Sequence, residues 1–224
     1  MKRYFMIPML LVLVLCSYSV PAAADAADEK IRISCVGDSI TFGAGVKDRE
    51  KNCYPVVMNK LLGDKYEVKN FGVNAATLLN KGDKPYTKLK AYKDALALNP
   101  NIVIIKLGTN DSKPHNWTQH SGEFEKDYIA LIDSFKALKT KPRIIICIAA
   151  PVVGKGNWGI NEPVMRKEIL PMLQNIAKKT GAELVDLHTP LADKPKLIPD
   201  RVHPNVEGAK IIAETLAAAI KGKK

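Results

Sequence analysis

The chain has 224 residues, 46% of them apolar, and a formal net charge of +11. That is enough for one well-buried core, and nothing in the composition asks for a second domain. The charge comes mostly from lysines spread singly, without a basic run or interleaved aromatics, which excludes a nucleic-acid-binding face in favour of a solvated surface.

Lys2 and Arg3 precede an apolar run from Tyr4 to Leu15, and Ala22, Ala23, Ala24 and Ala26 then offer small-residue cleavage positions. This is the pattern of a secretory signal peptide over residues 1–26. The run is shorter than the roughly 20 apolar residues of a membrane span and is interrupted by Pro8. Bulky Leu15 before Cys16 argues against lipid attachment. The expectation is an exported protein, periplasmic or extracellular, with one folded domain over 27–224 and no integral membrane segment in the mature chain. Cys35, Cys53 and Cys147 remain in that domain. They read most simply as free thiols, although export leaves pairing of two of them open. No C-x-x-C and no clustered His/Cys spacing is present, so neither a metal nor another cofactor is expected.

From Ile31 onward, short apolar runs alternate with segments of helical period, which predicts βαβ units around a parallel sheet. Five strands are predicted, at 31–36, 66–70, 102–107, 143–148 and 183–186. Ile102-Val-Ile-Ile105 and Ile144-Ile-Ile146 are too uniformly apolar for a half-exposed sheet, so both faces must be covered. The covering helices are predicted at 54–62, 87–98, 122–138, 162–179 and 205–220. Asn205 suits the N-cap of the last one, and Gly63 and Gly181 stand where helices should stop.

Ligands of such a sheet bind beyond the carboxyl ends of the strands. The segments there are Gly37-Asp38-Ser39, Asn70-Phe71-Gly72-Val73-Asn74 and Gly108-Thr109-Asn110-Asp111, with Asp200-Arg201-Val202-His203 before the last helix. Small, polar and titratable residues thus recur at one edge. Asp38 is expected to anchor its loop, and Asp111 to close the third strand through an Asx-turn. Gly43-Ala-Gly45 raises a phosphate-cradling alternative, which fails because Asp48 stands where a third glycine is needed.

Those four segments, in that order from Gly37 to His203, resemble the SGNH hydrolases, a branch of the GDSL esterase and lipase family. The resemblance implies a three-layer α/β/α sandwich whose five-stranded parallel sheet has the flavodoxin-like order 2-1-3-4-5. By position it implies Ser39 as nucleophile, with Gly72, Asn110 and the Asp200/His203 pair matching the other blocks. One position departs. Many members carry a second glycine three residues after the one matched by Gly72, where this chain has Ala75, so the loop shape is expected to differ while the donor stays at Gly72.

The residue chemistry supports those roles by itself. A serine hydroxyl needs a base to take its proton, and an imidazole, which titrates near neutral pH, suits that task, so His203 is the expected base. Asp200 can fix its tautomer and stabilise the imidazolium. The oxyanion donors are expected to be the Ser39 and Gly72 backbone N–H groups and the Asn110 side chain. His115, His120 and His188 lack a carboxylate at matching spacing.

Trp117 and Trp158 fall in loops after the third and fourth strands, where an indole could form a platform for a sugar ring or acyl chain. With export and loop tryptophans, the chain looks like the family's carbohydrate esterases. The expected function is hydrolysis of small acyl esters, acetyl above all, on glycans by a Ser-His-Asp acyl-enzyme route. The alternatives are a lysophospholipase or thioesterase-like member acting on longer acyl chains and, more remotely, a non-catalytic carbohydrate-binding module. The expected partner is an acylated glycan or other small ester.

Overall fold

The computed structural model describes Met1 and residues 29–222. The expected signal peptide lies almost wholly outside the described residues. Among the described residues no helix is long and apolar enough to cross a membrane.

Five parallel strands form one sheet: β1 (Ile31–Gly37), β2 (Tyr66–Gly72), β3 (Ile102–Lys106), β4 (Arg143–Ile148) and β5 (Glu183–Asp186). Their order is β2-β1-β3-β4-β5, which is the flavodoxin-like arrangement. Residues two apart on a strand share a face, and the sequence uses both faces for burial. Ile33, Cys35, Ile104, Ile145 and Cys147 enter one apolar layer, and Val36, Val103, Ile105, Ile144 and Ile146 enter the other. Ile104 and Ile105 are both fully buried on opposite sides. Truncating either to Ala would cost about 2–5 kcal/mol, because neither layer can collapse around a rigid central strand.

The first layer is closed by α3 (Tyr54–Leu62) and α9 (Val206–Lys221), the second by α4 (Lys90–Ala97), α6 (Phe124–Lys136) and α8 (Leu170–Thr180). The Asn205 side chain caps α9 by accepting from the Gly208 N–H at 3.0 Å. Gly181 ends α8 at φ 70°, a left-handed conformation that glycine adopts without steric cost.

Three differences from the sequence expectation have local causes. The predicted 87–98 helix is split, since Leu89 is extended between a 3₁₀ turn at Tyr86–Lys88 and α4. The predicted 162–179 helix begins as α7 (Glu162–Val164), widens into a π turn at Met165–Ile169 and continues as α8. Pro171 lacks an N–H and its ring would clash with the Lys167 carbonyl in a regular α turn, which the π turn relieves. Residues after β3, expected as loop, instead form α5 (Pro114–His120), with Pro114 at its first position, where the missing N–H costs nothing.

Candidate active site

The serine turn is built by its neighbours. Asp38 accepts from the Ile40 N–H at 3.0 Å and so caps a one-turn helix, α1 (Ser39–Phe42), which Gly43 ends at φ 97° and which the equally short α2 (Arg49–Asn52) follows. Ser39 is thereby the first residue of that turn. Thr41 Oγ1 pairs with Tyr54 Oη at 2.9 Å on α3, and the Asn70 amide on β2 donates to the Thr41 carbonyl at 2.8 Å. Asp38 anchors the loop, as its position suggested. It is wholly buried, with its oxygens 2.9 and 3.1 Å from the Lys106 ammonium.

His203 arrives from the turn before α9. Its Nε2 lies 2.8 Å from Ser39 Oγ, and its Nδ1 lies 2.7 Å from Asp200 Oδ2. The other Asp200 oxygen accepts the backbone N–H groups of Val202 at 3.0 Å and His203 at 2.6 Å. Partial burial pushes the Asp200 carboxyl up, but those two N–H groups and then the imidazole outweigh it and hold the group below its ordinary value. The carboxylate therefore stays ionised while it orients the ring.

Asn110 follows β3 in a 3₁₀ turn and is 6% exposed. One hydrogen of its amide goes to the Ala76 carbonyl at 3.1 Å. An amide nitrogen carries two, so the second is left for a ligand. Asn110 borders an open cleft of about 360 Å³ together with Ser39, His203, Ala75, Lys113 and Trp158.

Gly72 does not belong to this group, which corrects the expectation that it supplies an oxyanion donor. β2 runs two residues further than the apolar pattern implied, and Gly72 pairs with Gly37 inside the sheet. Its N–H donates to Asn70 Oδ1 at 2.9 Å. A Cβ at Gly72 would fall 2.2 Å from the Phe42 nitrogen, so glycine is required here because α1 crosses its backbone closely. This segment reaches the cleft at Asn74 and at Ala75, the latter three positions after Gly72 and at φ 63°. Among the described residues the Ser39 and Ala75 N–H groups donate to no protein acceptor.

The Ala75 loop is held from the far side. The Asp111 carboxylate accepts the Leu78 N–H at 3.0 Å and the Leu79 N–H at 2.8 Å, rather than closing an Asx-turn of its own. Burial, opposed by those bonds, pushes its pKa up to about 6. Asn116 accepts from the Asp83 N–H and donates to the Asn110 carbonyl, which adds a second tie. The sequence gives little sign of these contacts, since they join segments about thirty residues apart.

The two tryptophans separate. Trp117 is 5% exposed on the buried side of α5, packs edge-to-face on Phe124 at 5.4 Å and donates its Nε1–H to Glu168 at 2.7 Å. The expectation of a substrate platform there is corrected: the helix that replaces the expected loop turns this ring into the core. Trp158 is 61% exposed, and its ring centroid lies 5.2 Å from that of His203. It holds φ 55°, rare for a bulky residue, in a loop tied to the histidine turn by Val153 N–H to the Arg201 carbonyl at 2.9 Å and Asn157 Nδ2 to the Asp200 carbonyl at 2.5 Å.

The remaining histidines sit elsewhere. His188 pairs with Glu162 at 3.2 Å and His115 with Asp83 at 3.1 Å, while His120 ends α5. Cys35, Cys53 and Cys147 are buried free thiols. Burial pushes Cys147 up to about 12, so it is an inert apolar side chain. Among the described residues no group of three or more His, Cys, Asp or Glu is placed to hold a metal ion.

Residues 35–211 match the sequence profile of the GDSL-like Lipase/Acylhydrolase family. An acetylxylan esterase of Xylanibacter ruminicola is 45% identical over 221 residues, covering 91% of this chain and 45% of that protein. The chain thus spans about half the length of this curated relative. A solved protein of Agrobacterium tumefaciens superposes with a TM-score of 0.70 at 22% identity, covering 85% of this chain and 98% of that one. An acetylxylan esterase of Geobacillus stearothermophilus, solved as a catalytic mutant, gives 0.67 at 21% identity over 86% and 94%. These two likenesses establish the fold.

Proposed function

Since the chain belongs to the GDSL-like Lipase/Acylhydrolase family, whose members are carboxylic ester hydrolases, we propose that it removes small acyl groups, acetyl above all, from carbohydrates through a Ser39 acyl-enzyme. The observation that carries this reading is the unbroken series Asp200, His203, Ser39, opening on a cleft that Asn110 and Ala75 also border.

In the proposed reaction His203 Nε2 takes the Ser39 proton as Oγ attacks the ester carbonyl. The oxyanion receives the Ser39 and Ala75 N–H groups and the free Asn110 hydrogen. Collapse breaks the ester bond, and His203 returns the proton to the departing alcohol. Water then repeats the attack on the acyl-Ser39 ester with His203 again as base. Free acid leaves, and the serine proton is restored. Asp200 orients the ring and balances its charge throughout.

Two observations support a carbohydrate leaving group. The exposed Trp158 indole beside His203 offers a flat apolar face on the side where the alcohol must leave. The chain also shares 45% identity with a protein named acetylxylan esterase, which makes acetylated xylan the first glycan to try. We further propose export, supported by Lys2, Arg3 and the apolar run that follows them.

The test is acetate release from acetylated xylan beside initial rates on p-nitrophenyl esters of two to twelve carbons. Acetate release with a maximum at two to four carbons is expected. A maximum at eight carbons or above overturns the acetylesterase reading. Turnover retained in Ser39→Ala overturns the mechanism.

A further inference from the structure

β3 is Ile-Val-Ile-Ile-Lys, and its last residue, Lys106, is buried as completely as the isoleucines before it. Its ammonium has three acceptor contacts: Asp38 Oδ2 at 2.9 Å, Asp38 Oδ1 at 3.1 Å and Thr109 Oγ1 at 2.7 Å. Asp38 directly precedes Ser39, and Thr109 directly precedes Asn110. The strands that deliver the two turns are paired neighbours, with Gly37 opposite Lys106. One buried side chain therefore ties the nucleophile turn to the turn that carries the oxyanion amide.

Capping α1 does not require this arrangement. A neutral asparagine at position 38 would accept the Ile40 N–H as well as an aspartate does, and an apolar residue at position 106 would then continue the core. A buried ion pair is a costly alternative in stability to that apolar solution, because both charges lose their hydration. What it adds is geometry: charge-assisted bonds are short and directional, and these span two separate turns.

We infer that Lys106 is a positioning residue for ester hydrolysis, holding the Ser39 N–H and the Asn110 amide at the spacing one oxyanion requires. This rests on the proposed role of Ser39, which wild-type turnover and its loss in Ser39→Ala test separately. Lys106 is then read only from rate ratios among its own variants. The transition state depends on donor spacing, while ground-state binding to the cleft walls does not, so the effect belongs in kcat rather than KM.

The decisive variant is Asp38→Asn/Lys106→Met, which removes both charges together and keeps a capping oxygen. It is expected to stay folded with KM for p-nitrophenyl acetate within about twofold, and to lose about 30- to 100-fold in kcat, the scale of a sub-ångström misplacement. The pH profile of its residual kcat/KM keeps the wild-type midpoint, because the Asp200–His203 pair is untouched. Lys106→Met alone leaves a bare buried carboxylate and is expected to melt earlier than the double variant. Thr109→Val removes the hydroxyl that ties Lys106 to the Asn110 turn while keeping a side chain of the same shape at the cleft edge, and decides the matter if the double variant does not fold; about a fivefold or greater loss of kcat at unchanged KM is expected. A folded double variant with kcat within threefold of wild type overturns the inference. A loss lying wholly in KM does so too, as does wild-type kcat in Thr109→Val when the double variant cannot be read.

Discussion

His203 Nε2 and Ser39 Oγ lie 2.8 Å apart although 164 residues separate them in the chain. The contact exists because β1 and the turn before α9 end at the same edge of the sheet. It brings Nε2 within hydrogen-bond distance of the hydroxyl and leaves Nδ1 to Asp200.

Asp200→Asn keeps the shape of the turn but offers the imidazole the wrong partner. It is expected to lower kcat by about 10,000-fold, with KM little changed. The hydrogen bonds that hold the Asp200 carboxyl below its ordinary value also set a sign. Folding favours the ionised form, so the stability it contributes is complete above the ordinary carboxylate range and declines as acid protonates it. Urea unfolding below pH 4 should show wild type losing its advantage over the variant. Wild-type kcat in Asp200→Asn would remove the carboxylate from the mechanism.

Gly72 and Ala75 should behave in opposite ways. Gly72→Ala forces a Cβ to within 2.2 Å of the Phe42 nitrogen, and is expected to cost about 3 kcal/mol or more of stability. Ala75→Gly relieves a left-handed alanine, a strain of about 1–2 kcal/mol, partly offset by the extra freedom of glycine in the unfolded chain. It should leave kcat within a few-fold, because the donor is a backbone N–H. Thermal melts and p-nitrophenyl acetate kinetics check both. A stable, fully active Gly72→Ala protein would contradict the close crossing of α1.

The tryptophans provide a paired test. Trp158→Ala is expected to raise KM several-fold on acetylated xylan and to change p-nitrophenyl acetate turnover little, as the loss of one stacking face would. Trp117→Phe should alter neither, and should lower Tm because the Nε1–H bond to Glu168 disappears. Equal effects of Trp158→Ala on both substrates would make that indole a loop prop.

Asp111 carries the reverse pH sign from Asp200. Its folded pKa of about 6 exceeds the ordinary 3.8, so the native state binds a proton more readily than the unfolded chain. Its contribution to stability therefore rises as pH falls from about 6 toward 4, and is lost as pH rises through 6. Wild type should gain on Asp111→Asn across that interval in urea titrations at fixed pH steps. A difference that stays flat from pH 7.5 to 4.5 would show that the carboxyl is not titrating there.

Much of this was readable in the chain because period and position both speak there. The uniform apolar runs at 102–105 and 144–146 require a sheet covered on both faces, and Asn205 and Gly181 mark helix ends by their own chemistry. Ser39, Asp200, His203 and Asn110 each follow or precede an element whose end is legible, so the edge they share could be inferred. Gly72 differs from its expected role because the same residue type answers two different needs, close backbone crossing and a free N–H, and only the path of α1 tells them apart. Trp117 differs from its expected place because α5 is one short helix whose apolar side is scarcely more than that indole, which leaves little periodicity to read. Lys106 gives no signal at all: a lysine ending an apolar strand looks like a solvated terminus until its partner in the turn after the neighbouring strand, Asp38, is known.

The strand order has a consequence for how the protein comes into being. β1 is synthesised before the other four strands yet lies second in the sheet, with β3 beside it and α9, synthesised after all five, over its layer. During vectorial synthesis the serine turn emerges long before the residue meant to accept its proton, and before the helix that seals the layer behind it. Under the proposed mechanism, hydrolysis thus becomes a timestamp on the folded domain. A ribosome-stalled or clipped product ending before Asp200 would hold the nucleophile and remain silent, so the first detectable turnover in a synchronised translation marks the docking of the Asp200–His203 turn on the serine turn.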